Sequence, residues 1–256
     1  MSVLLLTATI NSGYFGNISS TITDIKERRK QYHETLEKYI RYSEFPKIVF
    51  ADNSEERLDE SFFIELAKSL RKEIEFIELP GDKELMKKQG KSYGEAVLIK
   101  EAFEKSRLIG GESSFYKVTG RIWVENINKL INDVPETCFI SHNFKSWVLT
   151  SFFKVRSDEF SSTLSVASKL CNDNTPNWFW CIEHVYYELL RTAIYPVNSF
   201  LEYPDMRGIN SGSGGLYTKT RKQMMMRNLL LKLGIYHFHP DNQFYYPIFR
   251  WLESRM

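Results

Sequence analysis

The sequence predicts an α/β fold with a mainly parallel central sheet, helices on both faces and a helical C-terminal part. Three observations carry this. Short apolar runs of strand length alternate with segments whose apolar residues recur at helical spacing, from Val3 to His142. The connections between them are only a few residues long, so successive strands are joined through helices and run parallel. No repeat, low-complexity linker or break in composition divides the 256 residues, a length that one large core can fill.

The elements follow in order. "VLLLTATI" (3–10) is a short apolar run with β-branched residues and reads as a buried first strand. After a polar loop, residues 23–42 place Ile25, Tyr32, Leu36, Tyr39 and Ile40 on one helical face, with Thr23 or Asp24 as N-cap. "KIVFADNS" (47–54) is the second strand and "LDESFFIELAKSLRK" a helix. "EIEFIEL" (73–79) is the third strand, closed by Pro80-Gly81, and residues 92–106 form a helix. "SFYKV" (114–118) is the fourth strand, "VENINKLINDV" a helix and "TCFISH" (137–142) a fifth strand. Beyond it, "SWVLTSFFKVRS" reads as a strand or part of a hairpin, and 177–192 as an aromatic-rich helix. Residues 207–217 form a Gly/Ser loop, and 218–234 a basic amphipathic helix closed by Gly234.

Composition narrows the function classes. Apolar residues at 43% and charged residues at 26% are ordinary for a globular protein, and a formal charge of +2 is too small for a dedicated nucleic-acid binder. The aromatic content of 14% is high, as in sugar clefts, interfaces or well-filled cores. Cys138, Cys171 and Cys181 have no CxxC spacing, which argues against a disulfide framework and for a reducing, cytoplasmic setting. The apolar N-terminal run is too short, and lacks the basic flank, for a signal peptide. No stretch approaches the ~20 apolar residues of a membrane span.

In open parallel α/β sheets ligands bind beyond the carboxyl ends of the strands. Thr7 and Thr9 lie at the end of the first strand, Asp52 and Asn53 at the end of the second. These groups can pair with a base and a ribose; Asp-Asn-Ser is also simply a good turn. Arg28, in the cationic start of the first helix, can grip pyrophosphate oxygens with its fork or sit on a solvated face. Gly90-Lys91-Ser92 resembles the end of a phosphate-binding loop, but Leu85 occupies the place of the earlier glycine and the segment does not follow the first strand, so that reading fails. A Gly-Lys-Ser turn opening a helix still suits an anion.

Lys117 lies within the fourth strand, and Thr119-Gly120-Arg121 lie just past its end. No Asp-x-Asp occurs in the chain, and the His237-x-His239 pair is weak as a metal site. Fixed cations would then meet a diphosphate in place of a metal; the alternative for Arg121 is an ion pair with Glu95 or Glu125. The loop Gly208–Gly215 holds four glycines in eight residues between Arg207 and Tyr217. It suits a phosphate clamp or lid through Ser211, Gly212 and Ser213, or is a plain flexible loop. Glu183 and His184, in the aromatic helix, are candidates for proton transfer or for holding an acceptor hydroxyl, or else structural.

Taken in order, "RRKQYHETLEKYI", "IVFADNS", "KSYGEAVLIKEAF", "YKVTGR" and the Gly/Ser loop resemble bacterial glycosyltransferases of GT-A type that build capsule, lipopolysaccharide or other surface polysaccharide. The resemblance spans roughly residues 3–217. It implies one Rossmann-like domain over 1–256, with a nucleotide-sugar donor half (1–145) and an acceptor half (146–256). Thr7, Thr9, Asp52 and Asn53 would hold the nucleoside, Lys91, Lys117 and Arg121 would face the diphosphate and donor sugar, and Glu183 would be the catalytic or acceptor-binding carboxylate. The missing Asp-x-Asp departs from the general pattern of that family and puts metal dependence in doubt.

The expectation is therefore a hexosyltransferase-like enzyme that moves a sugar from a nucleotide-diphosphosugar to a glycan or lipid-linked acceptor. No cofactor is expected, and neither Mg2+ nor Mn2+ is predicted. From Lys219 to Met256 seven Lys/Arg face two acids, so this tail could rest on an anionic inner-membrane surface or pack on the core with its basic side in water. Two other classes stay open. One is a nucleotidyl- or phosphotransferase, for which no metal-holding carboxylate pair is visible. The other is a non-catalytic sugar-nucleotide binding module.

Overall fold

The computed structural model describes residues 3–15, 22–132, 135–175, 180–209 and 215–239. Four apolar runs form the parallel strands β1 (Val3–Ala8), β2 (Lys47–Asp52), β3 (Glu73–Glu78) and β4 (Ser114–Thr119). Between them lie α1 (Ile25–Tyr42), α2 (Glu60–Ser69), α3 (Lys83–Gln89), α4 (Lys91–Lys105) and α5 (Arg107–Gly110). The first three helices share one start signal: Asp24, Asp59 and Asp82 each accept a hydrogen bond from a backbone N–H of the first turn, at 2.9, 3.1 and 2.9 Å.

After β4 come β5 (Trp123–Val124), α6 (Ile127–Ile131), β6 (Ser141–His142), β7 (Trp147–Val148) and β8 (Phe152–Arg156). The chain continues through α7 (Ser157–Ser162), α8 (Ala167–Leu170), α9 (Ile182–Arg191), β9 (Met206–Arg207) and α10 (Arg221–Lys232). The central sheet has the order β3-β2-β1-β4-β8. Its first four strands are parallel and β8 is antiparallel to β4. This is the mainly parallel, Rossmann-like α/β architecture that the alternation predicts.

One strand differs from expectation. Residues 137–142 do not form the fifth strand of the sheet; Cys138 bridges Lys154 and Asn198, and Ser141–His142 pairs with β7 in a separate ribbon. The edge position goes to Phe152–Arg156, from the segment whose form the sequence left open. Two helices are also shorter than predicted, α6 and α9, because Trp123–Val124 pairs with β9 instead of joining a helix and α9 opens only at Ile182. The helix α3 was not foreseen.

β1 is buried on both sides. Leu4, Leu6 and Ala8 pack into one core with α1 and α10, and Val3 and Leu5 into a second with α4 and α9. α10 is anchored by Leu230 and Leu231, capped by Thr220 and Gln223, and followed by Gly234 at φ 80°, the helix stop that the sequence predicts.

Candidate functional site

A cleft of about 170 Å3, open to solvent at its mouth, lies beyond the carboxyl ends of β1, β2 and β4. Thr7, Thr9, Arg28, Asn53, Lys91, Thr119, Arg121, Glu183 and Tyr217 line it, so nine of the residues singled out from the sequence come together. Tyr32, Glu95, Thr150 and Ser151 line it as well and were not singled out as binding groups.

The wall at β1 and β2 is tied together by its own polar groups. Asp52 accepts from the Ile10 N–H (2.9 Å) and from the Ser54 N–H and hydroxyl (2.7 Å each). Burial pushes its carboxyl above the ordinary range, and these hydrogen bonds oppose the shift. Asp52 does not line the cleft; it fixes the loop after β1 rather than holding a nucleoside. Thr9 donates its hydroxyl to Asn53 Oδ1 at 2.7 Å, and among the described residues the Asn53 side-chain N–H2 has no hydrogen-bond partner. The Arg28 guanidinium donates to the carbonyls of Thr9, Ile10 and Ile22, the last two at 3.0 and 3.1 Å. Burial lowers its pKa. Arg28 is thus a wall residue of the cleft whose guanidinium is engaged by backbone carbonyls.

The opposite wall starts at Thr119-Gly120-Arg121. The Gly120 N–H donates to the Thr7 carbonyl at 2.8 Å, and a Cβ at Gly120 would stand 2.9 Å from that oxygen and 3.2 Å from the Tyr32 ring. Only glycine allows this approach. The turn swings Arg121 under the cleft, where it is 5% exposed with its guanidinium 5.8 Å from the Tyr32 ring centre. Its Nη1 donates to Gln31 Oε1 at 3.0 Å, while its buried Nε has no hydrogen-bond partner. Neither expected carboxylate holds it: Glu95 pairs with Lys117, and Glu125 is nearest Arg207 at 3.8 Å.

Lys117 corrects another expectation. It is wholly buried in β4, absent from the cleft lining, and donates to Glu95, to the Thr150 carbonyl (2.8 Å) and to Thr119 Oγ1 (3.2 Å). A lysine inside an apolar strand needs such partners. It holds Glu95 in the cleft rather than meeting a diphosphate itself. Lys91 and Glu95, one helical turn apart, share the cleft face of α4. Lys91 is exposed there, but the helix start beside it is already capped, since the Ser92 N–H donates to Asp173 Oδ2 at 2.8 Å. The anion that the Gly-Lys-Ser turn suits is therefore a carboxylate of the chain itself.

Glu183 and His184 are consecutive in the first turn of α9 and so point in different directions. Glu183 lines the cleft, and burial, reinforced by the charge of Glu95, pushes its carboxyl above the ordinary carboxylate range; Lys91 opposes the shift. His184 faces away, with Nδ1 2.7 Å from the Ser146 carbonyl and its ring near Trp147, and burial lowers its pKa. It does not line the cleft.

The base of the Gly/Ser loop reaches the same wall. Gly208, at φ 142°, packs so closely that a Cβ would stand 2.7 Å from the Arg121 carbonyl oxygen, and the Tyr217 N–H donates to the Gly208 carbonyl at 3.0 Å. Tyr217 then sets its hydroxyl 3.1 Å from Ser151 Oγ in the cleft. Ser211, Gly212 and Ser213 lie outside the described residues. Arg207 is turned away, bonded to Asp205 at 3.0 Å, and does not line the cleft.

The cleft offers two carboxylates, and Glu95 is taken by Lys117. Among the described residues no group of three or more His, Cys, Asp or Glu could hold a metal ion.

No protein-family model matches the chain, and no curated protein matches it. Among solved structures it is similar to a glucose-1-phosphate thymidylyltransferase from Bacillus anthracis, determined in complex with sucrose. The TM-score is 0.41 and the identity 11%, over 90% of this chain and 94% of that one. A likeness this distant carries no conclusion about activity.

Proposed function

We propose that the cleft is the donor site of a glycosyltransferase that takes a nucleotide-diphosphosugar and passes the sugar to a glycan or lipid-linked acceptor, as in surface polysaccharide synthesis. The observation that carries this reading is Arg121: a buried guanidinium at the carboxyl edge of the sheet, with an unpartnered Nε and no carboxylate beside it. A buried N–H left unmade is costly, and a diphosphate oxygen is the natural acceptor for it. In a water-poor cleft such a fixed cation stabilises the charge that develops on the leaving diphosphate.

The other roles follow from position. The Asn53 side-chain amide would meet the nucleoside beyond β1 and β2. Exposed Lys91 would reach the phosphates from α4. Glu183, with its raised pKa, would take the proton of the acceptor hydroxyl as the bond from the sugar carbon to the diphosphate oxygen breaks. Glu95, held by Lys117, would orient the donor sugar or the acceptor. The whole chain, 1–256, would serve as one catalytic domain.

A thermal-shift panel of UDP-, GDP-, CMP- and dTDP-sugars, with and without EDTA, tests the reading. Stabilisation by one nucleotide sugar, unchanged by EDTA and lost in Arg121→Ala, is expected. Stabilisation that requires Mg2+ or Mn2+ would remove the guanidinium from its role. Stabilisation by a nucleoside triphosphate with a sugar phosphate, and not by any nucleotide sugar, would point to a nucleotidyltransferase.

A further inference from the structure

Helix α10 presents an outward face that its own core contact does not explain. Leu230 and Leu231 are buried on the inner side. On the outer side Met225, Met226, Leu229 and Leu233 are 65, 42, 50 and 67% exposed. At 100° per residue these four, together with exposed Arg221, Lys222 and Lys232, fall within one sector of less than half the helix circumference. The helix contains no acidic residue. An outer face left to water is normally polar, with charges of both signs; this one is apolar and cationic.

We propose that this face of α10 docks on an anionic lipid bilayer. Large flexible apolar side chains flanked by Lys and Arg are the composition of a helix lying in the plane of a membrane interface, with methionine and leucine among the acyl chains and the cations at the headgroups. The charge complement is one-sided, as an anionic surface requires, and each cation near such a surface favours binding by about fivefold. Among the described residues no helix is long and apolar enough to cross a membrane, so the contact is peripheral. Docking by α10 would keep a lipid-linked acceptor within reach of the protein. The surface itself is independent of the cleft, and vesicle binding is measured without nucleotide, so its failure leaves the donor-site reading standing.

The test is co-sedimentation of the full chain with vesicles of phosphatidylcholine alone and of phosphatidylcholine mixed in equal parts with phosphatidylglycerol. Binding to the anionic vesicles is expected, weakening with salt, with little binding to the neutral ones. The triple variant Met225→Ser/Leu229→Ser/Leu233→Ser and the triple variant Arg221→Gln/Lys222→Gln/Lys232→Gln should each lose at least tenfold in affinity. Because all six residues are exposed, both variants should keep the wild-type melting temperature within a few degrees, which reports folding. Equal binding to both vesicle types, no binding to either, or anionic binding that survives in both variants would overturn the proposal. So would a wild-type dimer in solution that the serine variant converts to monomer with no lipid binding in either, since the face would then join two copies of the chain.

Discussion

Arg28 and Arg121 both lie against the Tyr32 ring, 6.0 and 5.8 Å from its centre, and both are nearly buried. Arg28 is held by three backbone carbonyls. Arg121 is held by one side-chain amide and keeps a buried N–H without a partner. The carboxylates repeat the contrast. Burial raises both Asp52 and Glu183, but Asp52 is opposed by backbone and serine donors while Glu183 is pushed further by Glu95. The same residue types build one wall of the cleft and leave the other open, so burial alone does not mark a functional residue; an unmet hydrogen-bonding or charge demand does.

The sharpest break of this comparison is at Glu183. Glu183→Gln should lower transfer by about 10^2–10^4-fold, the range for a lost general base. The pH signs are opposed. A carboxyl whose folded pKa is raised stabilises the fold fully below its ordinary value and loses that contribution as pH rises through the raised value. Wild-type rate should therefore climb with pH over that interval, while the melting temperature of Glu183→Gln relative to wild type climbs too. A pH-rate profile and melts across the same range check both.

Next comes Arg28→Ala, which strips several hydrogen bonds from a buried cation. A loss of stability of about 3 kcal/mol or more is expected in denaturant melts, with nucleotide affinity falling only as the fold loosens. Gly208→Ala should cost about 1–3 kcal/mol, from its positive φ and from contact with the Arg121 carbonyl, and should weaken donor binding by displacing Arg121. Glu95→Gln should change the rate least, although it leaves buried Lys117 without its carboxylate and should cost about 3 kcal/mol of stability. It removes the charge that reinforces the burial-driven rise of Glu183, so the acid limb of the pH-rate profile should move to lower pH; an unmoved limb would separate Glu95 from Glu183.

Much of the fold was legible because β1, β2 and β4 are apolar runs between capped helices, a pattern that local sequence states in full. The edge strand was not. "TCFISH" and "SFFKVR" are both apolar enough for strands, and only the long-range pairing of Phe152–Arg156 with β4 decides between them. In the site, the strand-end rule brought Thr7, Thr9, Asn53 and Arg121 to the cleft. It could not tell which side chains would be engaged within the protein, as Asp52, Arg28 and Lys117 are. Glu95 left a signal that went unread: Lys117 in an apolar strand demands a carboxylate, and Glu95 shares a helix face with Lys91. His184 was drawn in by adjacency to Glu183, though successive helical residues diverge by about 100°.

If Arg121 is held ready for the diphosphate of a nucleotide sugar, its removal should cost donor affinity and leave the fold intact. Calorimetric titration of the nucleotide sugar found in the stabilisation panel into wild type, Arg121→Ala and Arg121→Lys tests it most directly. A loss of about 10–100-fold in affinity is expected for Arg121→Ala, from charge-assisted hydrogen bonds worth about 1.5–3 kcal/mol. Partial recovery is expected in Arg121→Lys, with melting temperatures close to wild type in both. Unchanged affinity in a folded Arg121→Ala would contradict it.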